Sequence, residues 1–238
     1  MEFVVHPEIF EIFPSLKLPV VVAWDVDADA GRARMEVLWR QTWEKAAQEA
    51  SVHGNAQSHP RISPWREAMG AMGVSGRKYL SSVEALLRRA LKGGEPASIN
   101  PLVDFYNAVS LRRFVPVGAF DLERIGDLLE LGLTRDGATF QPLDGSGTEA
   151  VESGEVGYFA GDEVLTRHFV WKQSRKGLLG ESTRYVFLVS EILGVVEEDS
   201  GGELADAVLA DLAGGLREHF GTEPATFLVE EARPEANF

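Results

Sequence analysis

The chain has 238 residues, 45% of them hydrophobic and 25% charged, which is enough for one sizeable core and fits a single domain over residues 1–238. Cysteine is absent, which excludes disulfides, thiolate nucleophiles and cysteine metal sites and fits a reducing, cytoplasmic setting. The formal net charge of -14 argues against broad, nonspecific attraction to nucleic acid, and no apolar run approaches the length needed to cross a bilayer.

In chain order, the pattern predicts a short strand at Phe3 to Val5, a short helix from Pro7 to Phe13 and a strand from Pro19 to Trp24. The continuous apolar run of that second strand implies burial on both faces. From Asp29 to about Ala50, Met35, Leu38, Trp39, Trp43 and Ala46 recur at helical spacing. His53 and His59 sit among turn formers without a third ligand nearby, so no metal site is expected. A helix starting at Ser63, with Pro64 in its first turn, runs to about Met72. Ser81 with Glu84 forms a capping box for another, which Gly93 and Gly94 stop.

The next stretch is the densest in signals. Asn100 caps a helix and Pro101 occupies its first position. Leu102, Phe105, Tyr106 and Val109 then share an apolar face, with Asp104, Asn107 and Ser110 placed among them. A buried polar group without a hydrogen bond costs roughly 1 to 3 kcal/mol, so these three either bond neighbouring backbone or face a pocket. Pro116, Gly118, Phe120 and Asp121 read as a turn. Beyond it the period becomes strand-like at 128–133, 139–143, 155–159, 164–171 and 185–189, separated by Gly-rich turns. An acidic amphipathic helix from Gly201 to His219, a strand from Ala225 to Val229 and a frayed tail from Glu230 complete the expectation. The class implied is α+β, a mixed and largely antiparallel sheet with flanking helices.

Charge is polarised along the chain. Nine Lys or Arg face four acids between Arg61 and Arg113, whereas twelve acids face two arginines from Glu191 to Phe238. The basic half is either a track for an RNA backbone or a solvated helix face. The GSG at Gly145 to Gly147 lacks the strand and helix context of a phosphate loop, and no serine elbow or metal-binding histidine pair is present, so no cofactor is expected.

The pieces INPLVDFYNAVSL, VPVGAFDLERI, LLEL, FQPLDG, GEVGYF, VLTRHFVWKQS and STRYVFLVSE together resemble the B3/4 domain. This is the editing domain in the beta subunit of bacterial phenylalanyl-tRNA synthetase, and the likeness is closer to free-standing proteins built from that domain. It covers about Ser63 to Glu191, and nothing resembles an aminoacylation core. The resemblance implies a fold of that kind and a hydrolase that deacylates misacylated tRNA, or alternatively a binding module for an amino acid, a related small molecule or RNA. It implies an amino-acid pocket formed by Asn100, Asp104, Ser110, Gly118, Asp121, Glu155, Trp171, Gln173 and Ser174, with Asn107 and Thr183 positioning the water. It also makes Arg77, Lys78, Arg88 and Arg89 the contacts to the tRNA acceptor end. The pattern departs at Gly118, where the synthetase domain usually has a histidine, and at Gln173 and Ser174, where it has an acid. Asp104 and Asp121 equally suit helix caps, Glu155 a turn, and Trp171 a core or pocket wall.

Overall fold

The computed structural model describes residues 1–194 and 201–238. Its first seven elements are β1 (Glu2–Val5), α1 (Pro7–Ile12), β2 (Leu18–Ala23), α2 (Arg32–Ala50), α3 (Ser63–Ala71), α4 (Ser82–Leu91) and α5 (Pro101–Arg113). There follow β3 (Val117–Asp121), α6 (Leu122–Ile125), β4 (Leu128–Leu133), β5 (Thr139–Phe140), β6 (Glu149–Ala150), β7 (Val156–Ala160), β8 (Glu163–Val164), β9 (Thr166–Arg167) and β10 (Lys172–Gln173). The last four are β11 (Val186–Ser190), α7 (Gly202–Phe220), β12 (Ala225–Val229) and β13 (Glu235–Asn237).

Two main sheets stack. One has the order β13-β1-β4-β7-β8-β5-β6 and the other β12-β2-β11-β3, while β10 and β9 form a small ribbon. Only β1 with β4 and β5 with β8 pair in parallel among the described strands, so the fold is α+β with mixed, largely antiparallel sheets, as the sequence pattern implies. Between the sheets lies a core that includes Phe3, Leu131, Tyr158, Val20, Phe120, Phe187 and Val189. On the far face of the smaller sheet, Val21, Ala23, Ala119 and Leu188 pack against α5 and α7. β2 is thus apolar throughout because alternate residues serve different cores, as its uninterrupted run predicts. A third cluster, with Trp39, Trp43, Leu87, Ala108 and Leu111, seats α2 and α4 on the outer side of α5.

That sandwiching makes α5 more enclosed than one apolar face suggests. Leu102, Phe105 and Val109 face the sheet side, and Ala108, Leu111 and Phe114 face α2 and α4. Its start is as expected: the Asn100 side chain accepts from the Val103 amide at 2.9 Å, with Pro101 in the first turn. Ser81 caps α4 by accepting from the Glu84 amide. Glu84, however, is buried and turned to Arg66 of α3, so its side chain makes a salt bridge in place of the reciprocal arm of a capping box.

Four expectations need correction. Gly118, Phe120 and Asp121 belong to β3, an edge of the smaller sheet paired to β11, and do not form a turn. Pairing with a strand nearly 70 residues later is invisible to local turn signals. Thr139 to Leu143 shortens to two strand residues, and of the strand expected over 164–171 only Val164, Thr166 and Arg167 are strand, the chain turning where His168 and Phe169 take positive φ of 48° and 64°. The tail is not frayed: β13 pairs with β1, and the amino group of Met1 donates to the Phe238 carbonyl at 2.9 Å.

Adjacent glycines of α7 give a test of this packing. A Cβ at Gly215 would overlap the Phe105 ring of α5, whereas at Gly214 it meets nothing within 4 Å. Gly214→Ala should therefore stabilise by up to about 1 kcal/mol through helix propensity. Gly215→Ala should destabilise by about 1 to 2 kcal/mol through overpacking. Urea midpoints moving in the same direction for both would contradict the α5–α7 contact.

Candidate functional site

Most of the polar residues singled out in the sequence are used inside the fold. Asp104 is buried and accepts from the Ile99 amide at 3.0 Å and from the Ser98 hydroxyl, which fixes the chain leading into α5. The Ser110 hydroxyl donates to the Val115 carbonyl at 2.6 Å across the end of the same helix. Asp121 caps α6 through the Glu123 amide at 3.1 Å and accepts from the Thr183 hydroxyl at 2.7 Å. Thr183 also accepts from the Gly180 amide and is fully buried, so its hydroxyl is committed to this loop and does not meet Asn107. Ser174 is likewise buried, donating to the Gln141 carbonyl and accepting from the Lys176 amide. For Asn100, Asp104, Ser110, Asp121, Thr183 and Ser174, then, the hydrogen-bonding need that made them candidates is met by neighbouring backbone or side chains.

Four predicted residues do come together. Asn107 from α5, Gly118 from β3, and Trp171 and Gln173 around β10 line one cavity of about 140 Å³. The cavity opens between α5 and the ends of the two sheets. Gln173 is oriented by donating from Nε2 to the Ala119 carbonyl at 2.8 Å. Gly118 faces open space: a Cβ there would touch nothing within 4 Å.

The floor of this cavity is a pair that the sequence reading missed. Tyr158 of β7 and Glu191, just past β11, both line it, and the Tyr158 hydroxyl donates to Glu191 Oε1 at 2.8 Å. Glu191 is only 4% exposed. Burial pushes its carboxyl up to about 8, against the smaller opposing effect of the bonds from Tyr158 and its own backbone amide. Among the described residues no Lys, Arg or His makes an ion pair with it. Burial also raises the Tyr158 phenol well above its usual range, with the Glu191 charge second. The available signal was an acid directly ending an apolar strand, FLVSE, but its partner lies 33 residues away on another sheet.

The mouth of the cavity is aromatic. Trp171 lies 4.6 Å from the Tyr79 ring and 5.4 Å, near-parallel, from His168. Lys78, one of the expected RNA contacts, places its ammonium 4.8 Å from the Tyr79 ring. Glu155 does not enter the cavity but shapes this rim. It accepts from Arg167 Nε and Nη2 at 2.7 and 2.8 Å and from the His168 amide at 2.7 Å. Those bonds hold His168 and Phe169 in the left-handed region, where a side chain costs about 1 to 3 kcal/mol of strain. Burial is the main reason the His168 ring has a lowered pKa, with Arg167 and Lys78 acting in the same direction and Glu155 opposing.

The other basic candidates lie outside the cavity. Arg77 is exposed in the loop before α4. Arg88 and Arg89 are exposed near the end of α4, whose first residue, Ser82, lines the cavity, so they stand about 10 Å along the helix at 1.5 Å per residue. Arg88 and Lys92 border a separate surface groove of about 380 Å³. No group of three His, Cys, Asp or Glu suited to a metal ion occurs among the described residues, and no described helix is long and apolar enough to cross a membrane.

The buried carboxyl makes stability depend on pH. Above the ordinary glutamate range the unfolded chain releases this proton while the folded one keeps it up to about pH 8. Its contribution therefore falls between pH 5 and 8 and levels off above. Glu191→Gln, which can still accept from Tyr158, should gain stability relative to the parent steadily across that interval in urea titrations. A difference between the two proteins that is flat from pH 5 to 8 would contradict the burial.

Comparison with known proteins gives a family. A family model described as the B3/4 domain matches residues 64–197. None of the curated proteins matches. Among solved structures, an N-terminal fragment of the phenylalanyl-tRNA synthetase beta-subunit from Pyrococcus horikoshii is similar at 11% sequence identity and a TM-score of 0.44, over 95% of this chain and 53% of that one. The chain thus spans about half the length of that fragment.

Proposed function

The chain belongs to the B3/4 domain family, and from that premise we propose that it is a trans-acting hydrolase that deacylates misacylated tRNA. The observation that carries this reading is the cavity of about 140 Å³ shared by Asn107, Gly118, Trp171 and Gln173. At about 30 Å³ per liquid water it has room for four or five waters, which suits a single amino-acid moiety and not a nucleotide. The aminoacyl group enters the cavity, and the terminal ribose stays at the mouth beside Tyr79 and Trp171, which offer aromatic faces to a base.

Hydrolysis of an aminoacyl ester makes modest demands, because the ester is already activated. Water adds to the carbonyl carbon, the bond to the ribose oxygen breaks, and a free amino acid and a tRNA hydroxyl result. Asn107, half-buried on α5, holds the water, and the open space at Gly118 leaves room for its approach. Thr183 acts behind this site, keeping the loop before β11 in place through Asp121. Lys78 at the mouth, Arg77 beside it and Arg88 and Arg89 farther along α4 form a path for the acceptor-stem phosphates.

The second reading is a binding module without catalysis for an amino acid, a related small molecule or RNA. The side-chain-free position at Gly118 favours it, since the cavity lacks a polar group there.

Deacylation of a panel of correctly and incorrectly charged tRNAs separates the two. Selective turnover, reduced at least tenfold by Asn107→Ala, is the expected result; absence of turnover on every substrate would leave the binding module. Reversing Arg88 and Arg89 to Glu should weaken tRNA binding and lower its salt slope by roughly 1 to 2. It should leave hydrolysis of small aminoacyl esters unchanged.

A further inference from the structure

We propose that Glu191 and Tyr158 form an ammonium-binding subsite: the cavity takes a ligand through its primary α-amino group, which pairs with the buried carboxyl. This rests on reading the cavity as the seat of an aminoacyl group, and it names the atom by which that group is held.

The geometry contains an acceptor site without a cation. Glu191 follows β11 directly at the bottom of the cavity, and its position is fixed on two sides. Ser190, the preceding residue, donates from its hydroxyl to the Pro116 carbonyl at 2.7 Å, and Tyr158 reaches Oε1 from the opposite sheet at 2.8 Å. A carboxyl held in this way is preorganised, since little side-chain freedom is left to lose when a ligand arrives. The other titratable or charged residues lining the cavity are Tyr106 and Lys172. Burial raises the Tyr106 phenol, so it stays neutral. The Lys172 ammonium lies over the Trp171 and Phe140 rings, at 5.8 and 5.7 Å, and makes no ion pair with Glu191. Lys17, next in space along the strand end through its bridge to Ile192, is already paired with Glu230 at 2.6 Å.

An ammonium matches what is available. It is compact and has three donors, and Glu191 shares the cavity with Gln173, whose Nε2 is engaged elsewhere, and with Asn107, each of which carries a side-chain carbonyl able to accept. An α-hydroxyl in the same place brings no charge and cannot balance an ionised carboxylate. Occupation by a cation therefore has a signature that hydrogen bonding alone lacks. Burial holds the proton on Glu191 up to about pH 8. Pairing with an ammonium lowers that pKa and expels the proton.

The test is titration calorimetry at about pH 6, where the ester amines and the Glu191 carboxyl are both protonated, in buffers of different ionisation enthalpy, using methyl esters of the proteinogenic amino acids, with methyl lactate as the uncharged match for alanine methyl ester. The expected result is binding of one or more amino esters with net proton release to the buffer, on the order of thirtyfold weaker binding and no release in Glu191→Gln, and markedly weaker binding of methyl lactate. Circular dichroism and the urea midpoint confirm that Glu191→Gln is folded. Binding without proton release, equal binding of methyl lactate, or no binding by any amino ester would overturn the subsite. Ester binding with proton release, together with failure to deacylate any charged tRNA, would remove the hydrolase reading and leave the ammonium site standing.

Discussion

The arrangement of this protein turns on one hydrogen bond, from the Tyr158 hydroxyl to Glu191, made across the gap between its two sheets. Tyr158 belongs to a run of rings, within 6.0 Å of Phe3 and 5.5 Å of Phe120, that fills the space between the sheets. Most of that core is hydrocarbon and would tolerate sliding of one sheet over the other. A directional bond between two buried polar groups does not, because breaking it leaves both without a partner in a medium that cannot hydrate them. The same bond sets the depth of the cavity. In the cavity bordered by α5 and strands of both sheets, the polar pair is what the opening ends on.

What the sequence revealed was whatever depends on neighbours along the chain. Asn100 and Pro101 state the start of α5 within two residues, Ser81 does so for α4, and the unbroken apolar run of β2 announces that both its faces are covered. The family was legible for a related reason: the pieces from INPLVDFYN to FLVSE keep their order, and residues 64–197 match the B3/4 domain. The errors share a cause too. Gly118 looked like a turn because its strand partner, Val189, is 71 residues on, and the tail looked frayed because β13 pairs with the other end of the chain. Among the candidate residues, short polar side chains in an apolar setting suit either a pocket or bonds to their own surroundings, and several of them make the latter. Glu191 escaped notice because what makes it unusual is the other sheet.

Charge shows the same split between local and distant order. The basic stretch ends at Arg113 and the acidic one includes α7, and in the fold they meet: Arg113 forms a two-pronged bond with Asp211 at 2.8 and 3.1 Å. The acidic half therefore neutralises part of the basic half. Arg77, Lys78, Arg88 and Arg89 escape this. No Asp or Glu is paired with any of them among the described residues. A strongly negative molecule thus keeps a small positive surface near its cavity.

Glu155 has a broader meaning than its place outside the cavity suggests. Its carboxylate holds two successive residues, His168 and Phe169, in a conformation that neither would choose alone, and the aromatic rim is built on that turn. The outline of the aperture is therefore written in a residue that touches nothing passing through it. A change at Glu155 alone would alter the turn that carries the rim while every residue lining the chamber keeps its identity.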